Sequence, residues 1–377
     1  MTPIYLDYNA TTPIAPEVAA AMRPWIERQF GNPSSSHAYG RQAREAVTEA
    51  REAVAALIGA KAEEIVFTGS ATEANNLALL GVARAMPAHK RHLIVSAIEH
   101  PAVMQPALHL RDQGWDLTVL PVDEFGCIAL DDLGVALRPD TALVSVMHAN
   151  NEVGTIQPVA KIAALVRANG ALMHTDAAQS AGKAPLDVTA LGVDLLTLAG
   201  HKFYAPKGIG ALYVRRGTAI KPILFGADQE HGLRPGTENV AQIVGLGAAA
   251  RLARERLPLA ARQLADLRDD LHRRLGQAVP GLMLNGHPRH RLPNTLHVAF
   301  PGVSGRDLLA AASEVAASVG SACHSDADLV SGVLAAMGCD AARARGAVRL
   351  SVGIPTTAKD VETAAAVLVR AWRATTA

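Results

Sequence analysis

A lysine stands where an apolar run stops. Residues 194–199 read as a buried strand, Gly200 ends it, His201 and Lys202 follow, and a Pro/Gly turn over 206–210 leads into a second apolar run at 211–214. Most lysines are solvated surface. One held between two core strands loses the hydration of its charge, and burial then favours the neutral amine that forms Schiff bases with carbonyl carbons. Upstream, the apolar residues 171–173 lead into His174-Thr175-Asp176, which places an aspartate at another strand end. Alone, such an aspartate is more often a helix cap. One strand–helix–strand unit before Lys202, Asp176 fits a further role: a carboxylate against a pyridinium nitrogen keeps that nitrogen protonated and strengthens the ring as an electron sink. The pair points to pyridoxal 5′-phosphate.

The elements that must position this pair follow from periodicity. Helices are expected over 15–28 and 41–58, the second closed by Gly59. A strand over 63–68 runs into Gly69-Ser70-Ala71-Thr72-Glu73, and a helix follows around 77–85. Strand, small-residue turn, hydroxyl and helix together make an anion cradle, with free N–H groups and the helix dipole facing a phosphate; the same pattern also describes a plain N-cap. Strands at 93–97, 117–120, 143–147 and 172–175 alternate with helices near 102–111, 130–137 and 159–168. That rhythm predicts right-handed βαβ units, a largely parallel sheet, and ligand groups on loops at the strand ends. His100, Asn151 and Asp176 all fall at such ends.

Gly245-Leu246-Gly247-Ala248-Ala249-Ala250 matches a loose dinucleotide pattern, yet it lies inside a helical run over 238–275 with no strand before it, so a nucleotide site is excluded. This helix is expected to link two domains near 257–258, with the polar stretch 262–274 as solvated surface. Beyond it, strands at 295–300, 315–318 and 348–351 and helices near 306–312, 329–337 and 358–372 form a compact α/β domain. Its loop 318–326 is small and polar. A cysteine there, Cys323, is accessible and able to act as a nucleophile, whereas Cys127 and Cys339 lie beside apolar or capping residues and read as packing.

Composition bounds the remaining choices. A chain of 377 residues with 49% hydrophobic content suggests about two domains with large cores. The 36 basic and 35 acidic residues nearly cancel, which leaves no field to drive binding to nucleic acid or an anionic membrane. A small substrate is expected. Three widely spaced cysteines suit a reducing compartment, no paired Cys/His spacing suggests a metal, and the first residues show no basic stretch followed by an apolar segment. The expectation is a soluble cytoplasmic protein.

The ordered motifs Tyr5-Leu6-Asp7-Tyr8-Asn9-Ala10-Thr11-Thr12, Phe30-Gly31-Asn32-Pro33-Ser34-Ser35, Glu99-His100, Ala149-Asn150-Asn151-Glu152, Gly200-His201-Lys202, Arg234-Pro235-Gly236-Thr237 and Gly320-Ser321-Ala322-Cys323 run nearly end to end. With them the chain resembles the cysteine desulfurase family, and is similar also to selenocysteine lyases. The resemblance implies an aminotransferase-like, fold type I α/β enzyme. Its large domain, 14–257, would carry a mainly parallel seven-stranded sheet. A smaller C-terminal domain, 258–377, would hold the Cys323 loop, with segment 1–13 packed on it.

The resemblance also distributes roles. Lys202 holds the cofactor, Ala71, Thr72 and His201 serve its phosphate, Gln179 its phenolic oxygen and Asp176 its ring nitrogen. His100 lies over the ring and moves protons. Asn151 contacts cofactor or substrate, and Arg349 and Asn9 belong to the substrate side, the arginine fork taking the carboxylate. In relatives a glycine usually stands where this chain has Ser70, and many place a serine where it has Ala199. Thr237 reaches the phosphate of a partner subunit, so a homodimer is expected. The implied activity converts L-cysteine to L-alanine and leaves a persulfide on Cys323 for a sulfur-acceptor or scaffold protein. Lyase action on L-selenocysteine is the alternative, and a catalytically silent scaffold is disfavoured by the joint retention of Lys202, Asp176, His100 and Cys323.

Overall fold

The computed structural model describes residues 2–320 and 331–376, so Cys323 and the residues beside it lie outside the described part. In chain order the strands are β1 (Ile4–Tyr5), β2 (Ile65–Thr68), β3 (His92–Ser96), β4 (Asp116–Leu120), β5 (Thr141–Ser145), β6 (Leu172–Asp176), β7 (Leu195–Ala199), β8 (Gly210–Val214), β9 (Met283–Leu284), β10 (Thr295–Ala299), β11 (Val315–Ala316) and β12 (Ala347–Ser351).

Seven of them form one sheet in the order β2-β8-β7-β6-β5-β3-β4. The β3, β4, β5, β6 and β7 pairings are parallel, and only β8 runs against its neighbours β2 and β7. This is the mainly parallel sheet expected. Its inner strands read as unbroken apolar runs because helices cover both faces: every residue of β2, β3, β5 and β7 is buried. The strand period of two divides their side chains between the faces. Ile65, Phe67, Ile94, Val144 and Leu196 join one core, and Val66, Leu93, Val95, Leu143 and Leu195 join the core opposite.

A separate core gathers Leu6, Leu296, Val298, Phe300, Val348, Leu350 and Leu368 around the antiparallel sheet β12-β10-β9 and the parallel pair β1–β11. The helix Val240–Ala278 serves both regions, burying Ile243, Leu246 and Ala250 against the large sheet and Leu264, Leu271 and Leu275 against the small one. The expected solvated surface over 262–274 is therefore only half right. Arg268 is buried, pairs with Asp269 at 2.8 Å and donates from Nη1 to the Leu292 carbonyl at 2.8 Å. The stripe 264, 268, 271, 275 has helical core spacing, which the charge count along this stretch conceals. Among the described residues no helix is long and apolar enough to cross a membrane.

Because β2, β3, β5, β6 and β7 point the same way, the loops after them open at one edge of the sheet. That edge receives Ser70, His100, Asn151, Asp176 and Lys202. The small sheet reaches the same place through the bridge between Asp7 and Ser351 and through Arg349 on β12.

Candidate active site

The loop after β2 is held by three contacts. Ser70 caps the helix Ala71–Ala85 by accepting from the Glu73 N–H at 3.1 Å, Thr68 Oγ1 donates to the Ser70 carbonyl at 2.9 Å, and the Gly69 N–H donates to Glu73 Oε2 at 2.8 Å. Glu73 also pairs with Arg234 at 2.9 Å, tying the Arg234-Pro235-Gly236-Thr237 motif to the loop. The first N–H groups of the helix, at Ala71 and Thr72, have no intrahelical acceptor by geometry, and both residues line the cavity at the positive end of the helix dipole. Close approach of β8 depends on Gly210, where a Cβ would lie 2.7 Å from the Ser70 carbonyl carbon and 2.9 Å from the Ala71 nitrogen. The buried Ala199 lines the same cavity.

Lys202 ends a short 3-10 turn, Gly200–Lys202, directly after β7. Its Nζ donates to the backbone carbonyls of Asn9 at 2.6 Å and Ala10 at 2.8 Å, so the N-terminal strap helps hold the amine. His201 shares a hydrogen bond of 3.1 Å with Thr11 Oγ1, and its carbonyl accepts from the Thr12 N–H at 3.0 Å. Burial first, then the cations Lys202, Lys207 and Lys183, press the His201 pKa down to about 4, so the ring is neutral near pH 7.

Asp176, at the end of β6, is oriented by two donors: Asn75 Nδ2 to Oδ2 at 2.7 Å and the Ala178 N–H to Oδ1 at 2.9 Å. His100 caps the helix Pro101–Asp112, its Nδ1 accepting from the Ala102 N–H at 3.1 Å. The cavity walls lower its pKa by withholding solvent, Asp176 opposes that shift, and Lys202 adds to it. A neutral ring whose Nδ1 accepts must carry its proton on Nε2. Beside it, buried Glu99 accepts from Ser96 Oγ at 2.5 Å and from the Met147 N–H at 2.8 Å, while its Oε2 has no partner among the described residues. Burial pushes the Glu99 carboxyl up to about 8.

Arg349 is 3% exposed; Nη2 pairs with Asp7 at 2.8 Å and Nη1 donates to the Asn151 carbonyl at 2.9 Å, while Nε has no partner among the described residues. One cavity of about 530 Å³ is lined by Lys202, Asp176, His100, Gln179, Asn9, Asn151, His201, Ala71, Thr72 and Arg349. Of the candidate residues described, Thr237 alone stands apart: it is exposed and does not line this cavity. Cys127 and Cys339 are half-buried, with thiol pKa values raised by burial, to about 11 for Cys127. Neither lines the cavity. Sequence reasoning missed Asn75 and Lys183. Both are buried polar side chains, at 0% and 6% exposure, and a polar residue on the apolar face of the helix Ala71–Ala85 was the available signal for Asn75.

As a donor set, this cavity fits a ring that carries an anion, a carbonyl carbon and a basic nitrogen. The helix N–H groups suit the anion, Lys202 the carbonyl and Asp176 the nitrogen. Residues 4–363 match the model of the aminotransferase class-V family. A cysteine desulfurase, IscS, of Dictyoglomus turgidum is 45% identical over 97% of this chain and 94% of its own length. The cysteine desulfurase of Homo sapiens is 41% identical over 96% of this chain and 80% of its own. Among solved structures, a NifS-like protein superposes with a TM-score of 0.92 at 37% identity, covering 98% of this chain and 99% of that one. A structure described as SspA in complex with cysteine gives 0.82 at 38% identity, covering 92% and 98%. The chain belongs to the cysteine desulfurase family of class-V aminotransferases. Members of that family use pyridoxal 5′-phosphate.

The Glu99 carboxyl makes stability depend on pH in a specified direction. Its folded pKa, about 8, lies above its ordinary 4.5, so the folded state binds the extra proton between those values. Glu99 therefore contributes stability that is complete below about 4.5 and is lost as pH rises through about 8. Relative to Glu99→Gln, wild-type stability should fall across that window by at most about 1.4 kcal/mol per pH unit. Thermal unfolding of both proteins at a series of pH values checks this; parallel curves would mean that the carboxyl is ionised throughout.

Proposed function

We propose that this chain is a pyridoxal-phosphate-dependent cysteine desulfurase that converts L-cysteine to L-alanine and receives the sulfur on Cys323 as a persulfide. The supporting observation is the convergence of Lys202, Asp176, His100 and Arg349 on one cavity of about 530 Å³. When bound, the cofactor supplies the electron sink that lets the substrate α-carbon release a proton.

The chain's own residues supply the rest. Lys202 provides the amine for the cofactor's carbonyl carbon, held ready by the carbonyls of Asn9 and Ala10. Asp176 presents a carboxylate steadied by Asn75 and the Ala178 N–H to the ring nitrogen. Ala71, Thr72 and His201 would hold the phosphate, and Gln179 would offer an N–H to the phenolic oxygen. His100, its Nδ1 committed to the helix cap, holds or moves a proton at Nε2. Arg349 orients the substrate carboxylate beside Asn151 and Asn9, its fork pre-set by Asp7. The Cys323 thiolate bonds to the substrate sulfur and the Cβ–S bond breaks. Its electron pair stays on carbon, which takes a proton to give alanine. A sulfur-acceptor protein then takes the persulfide sulfur, for iron–sulfur or other thio-cofactor synthesis. A reduced Cys323 suits a cytoplasmic setting. Residues 14–257 and 258–377 are read as the two domains. Both sequence relatives above are named cysteine desulfurases, and none supports selenium release as the main activity.

The working unit is a homodimer with composite sites. Thr237 is exposed and away from its own cavity. Large apolar groups lie on the surface, including Phe30 at 81% and Phe225 at 78% exposure, as an interface between copies would bury.

Replacing Cys323 by Ser should reduce alanine release from L-cysteine by about a hundredfold or more and leave appreciable release from L-selenocysteine, whose weaker carbon–selenium bond needs less covalent help. Unchanged desulfuration in the variant would remove Cys323 from the mechanism. Mixing inactive Lys202→Ala subunits with Thr237→Ala subunits should restore activity, because one site of the mixed dimer carries both defects and the other neither. No gain on mixing, or a monomer at working concentration, refutes the shared site.

A further inference from the structure

Four residues after Gln179 a second lysine is buried beside the first. Lys183 is 6% exposed, and its Nζ donates to Gln179 Oε1 at 3.1 Å and to Asn9 Oδ1 at 3.4 Å. An amine placed so deep has its pKa driven well below the ordinary lysine value by burial, with Lys202 and Arg349 as the neighbouring cations that reinforce the shift. The hydrogen-bond count agrees, since a neutral amine has two N–H donors and both are used here.

Each partner of Lys183 also touches the catalytic side of the cavity. Gln179 Nε2 donates to the Asn9 carbonyl at 3.0 Å, and the same carbonyl accepts from Lys202 Nζ at 2.6 Å. An amide can face either way unless its neighbours decide. Here the Asn9 carbonyl can only accept, so it must meet the amide nitrogen, and the amide oxygen is the atom that takes the N–H of Lys183. The second N–H of Gln179 is thereby left for whatever occupies the cavity that Gln179 lines. The Asn9 side chain is fixed in the same manner, its Oδ1 taking Lys183 and Asn294 while its Nδ2 donates to Thr295 Oγ1 at 2.8 Å.

We propose that Lys183 is a positioning residue for the reaction: it orients the Gln179 amide so that an N–H, not the carbonyl oxygen, meets the cofactor, and it steadies the Asn9 carbonyl that holds Lys202. The inference rests on the cofactor reading given above. A carbonyl oxygen turned to the same place would repel an anionic oxygen on the ring, so loss of Lys183 acts through Gln179 and not only through stability.

The test is a pH titration of the visible absorption of the cofactor-loaded protein, in wild type, Lys183→Met, Gln179→Leu and the double variant, with thermal unfolding alongside. A donor facing the ring oxygen favours the proton-poor form of the chromophore, so its loss should raise the midpoint. In Lys183→Met the expected rise is about half a pH unit or more. Gln179→Leu should move it the same way, and the double variant no further than Gln179→Leu alone. A Lys183→Met protein that melts lower but titrates as wild type would show a structural role only and overturn the proposal, as would fully additive shifts. Should Lys183→Met not take up cofactor, Lys183→Gln decides, because it keeps an N–H donor on a slightly shorter arm. A midpoint returned toward wild type supports the proposal, and a variant as defective as Lys183→Met overturns it. Absence of the visible band in the wild type would instead contradict the cofactor reading.

Discussion

Asn9 is where the two halves of the molecule are fastened together. It is 1% exposed, and all its polar atoms are engaged. Its N–H donates to Ser351 Oγ at 3.0 Å, its carbonyl accepts from Lys202 and Gln179, its Oδ1 from Lys183 and Asn294, and its Nδ2 donates to Thr295 Oγ1 and the Asn151 carbonyl. Ser351, Asn294 and Thr295 belong to the small sheet region; Lys202, Gln179, Lys183 and Asn151 follow strands of the large one. A buried polar group left unpaired costs about 1–3 kcal/mol, so a network satisfied this fully specifies one arrangement of the two cores. The lysine amine is placed by the same arrangement. Its position is therefore a property of the whole fold.

Around that point the protein collects positive charge and withholds water. Lys202 and Arg349 supply that charge, with Asp7 and Asp176 opposing it, while Lys183, His201 and His100 are held toward their neutral forms. Such a site draws anionic ligands through Lys202, Arg349 and fixed N–H donors rather than through ionised imidazoles. Under the proposed function a substrate carboxylate and a phosphate would meet opposite sources of donors: Arg349 from the small sheet, and the N-terminus of the helix Ala71–Ala85 from the large one.

The legible part of the site obeyed strand grammar. Asp176 and Lys202 end apolar runs whose length and pattern are visible in one dimension, and parallel strands bring their ends to one edge, so the sheet, its order of magnitude in strands and its active edge could be anticipated. Arg349 has no such signature and came from resemblance. Contacts that span the chain were hidden: Asn75 meets Asp176 across 101 positions, and Asn9 meets Lys183 across 174. The stretch 262–274 misled because its charges outnumber the stripe of core positions among them. Arg268 shows why composition fails there, since its guanidinium is buried yet satisfied by Asp269 and the Leu292 carbonyl.

The central question is which amine the cofactor's carbonyl carbon meets, since half-buried Lys202 and buried Lys183 share the Asn9 hydrogen-bond network. Reducing the loaded protein with borohydride and mapping the modified peptide answers this directly. Lys202, its amine delivered by the Asn9 and Ala10 carbonyls at the end of β7, is predicted to carry the label alone. Label on Lys183, or no fixed cofactor at all, would contradict the account.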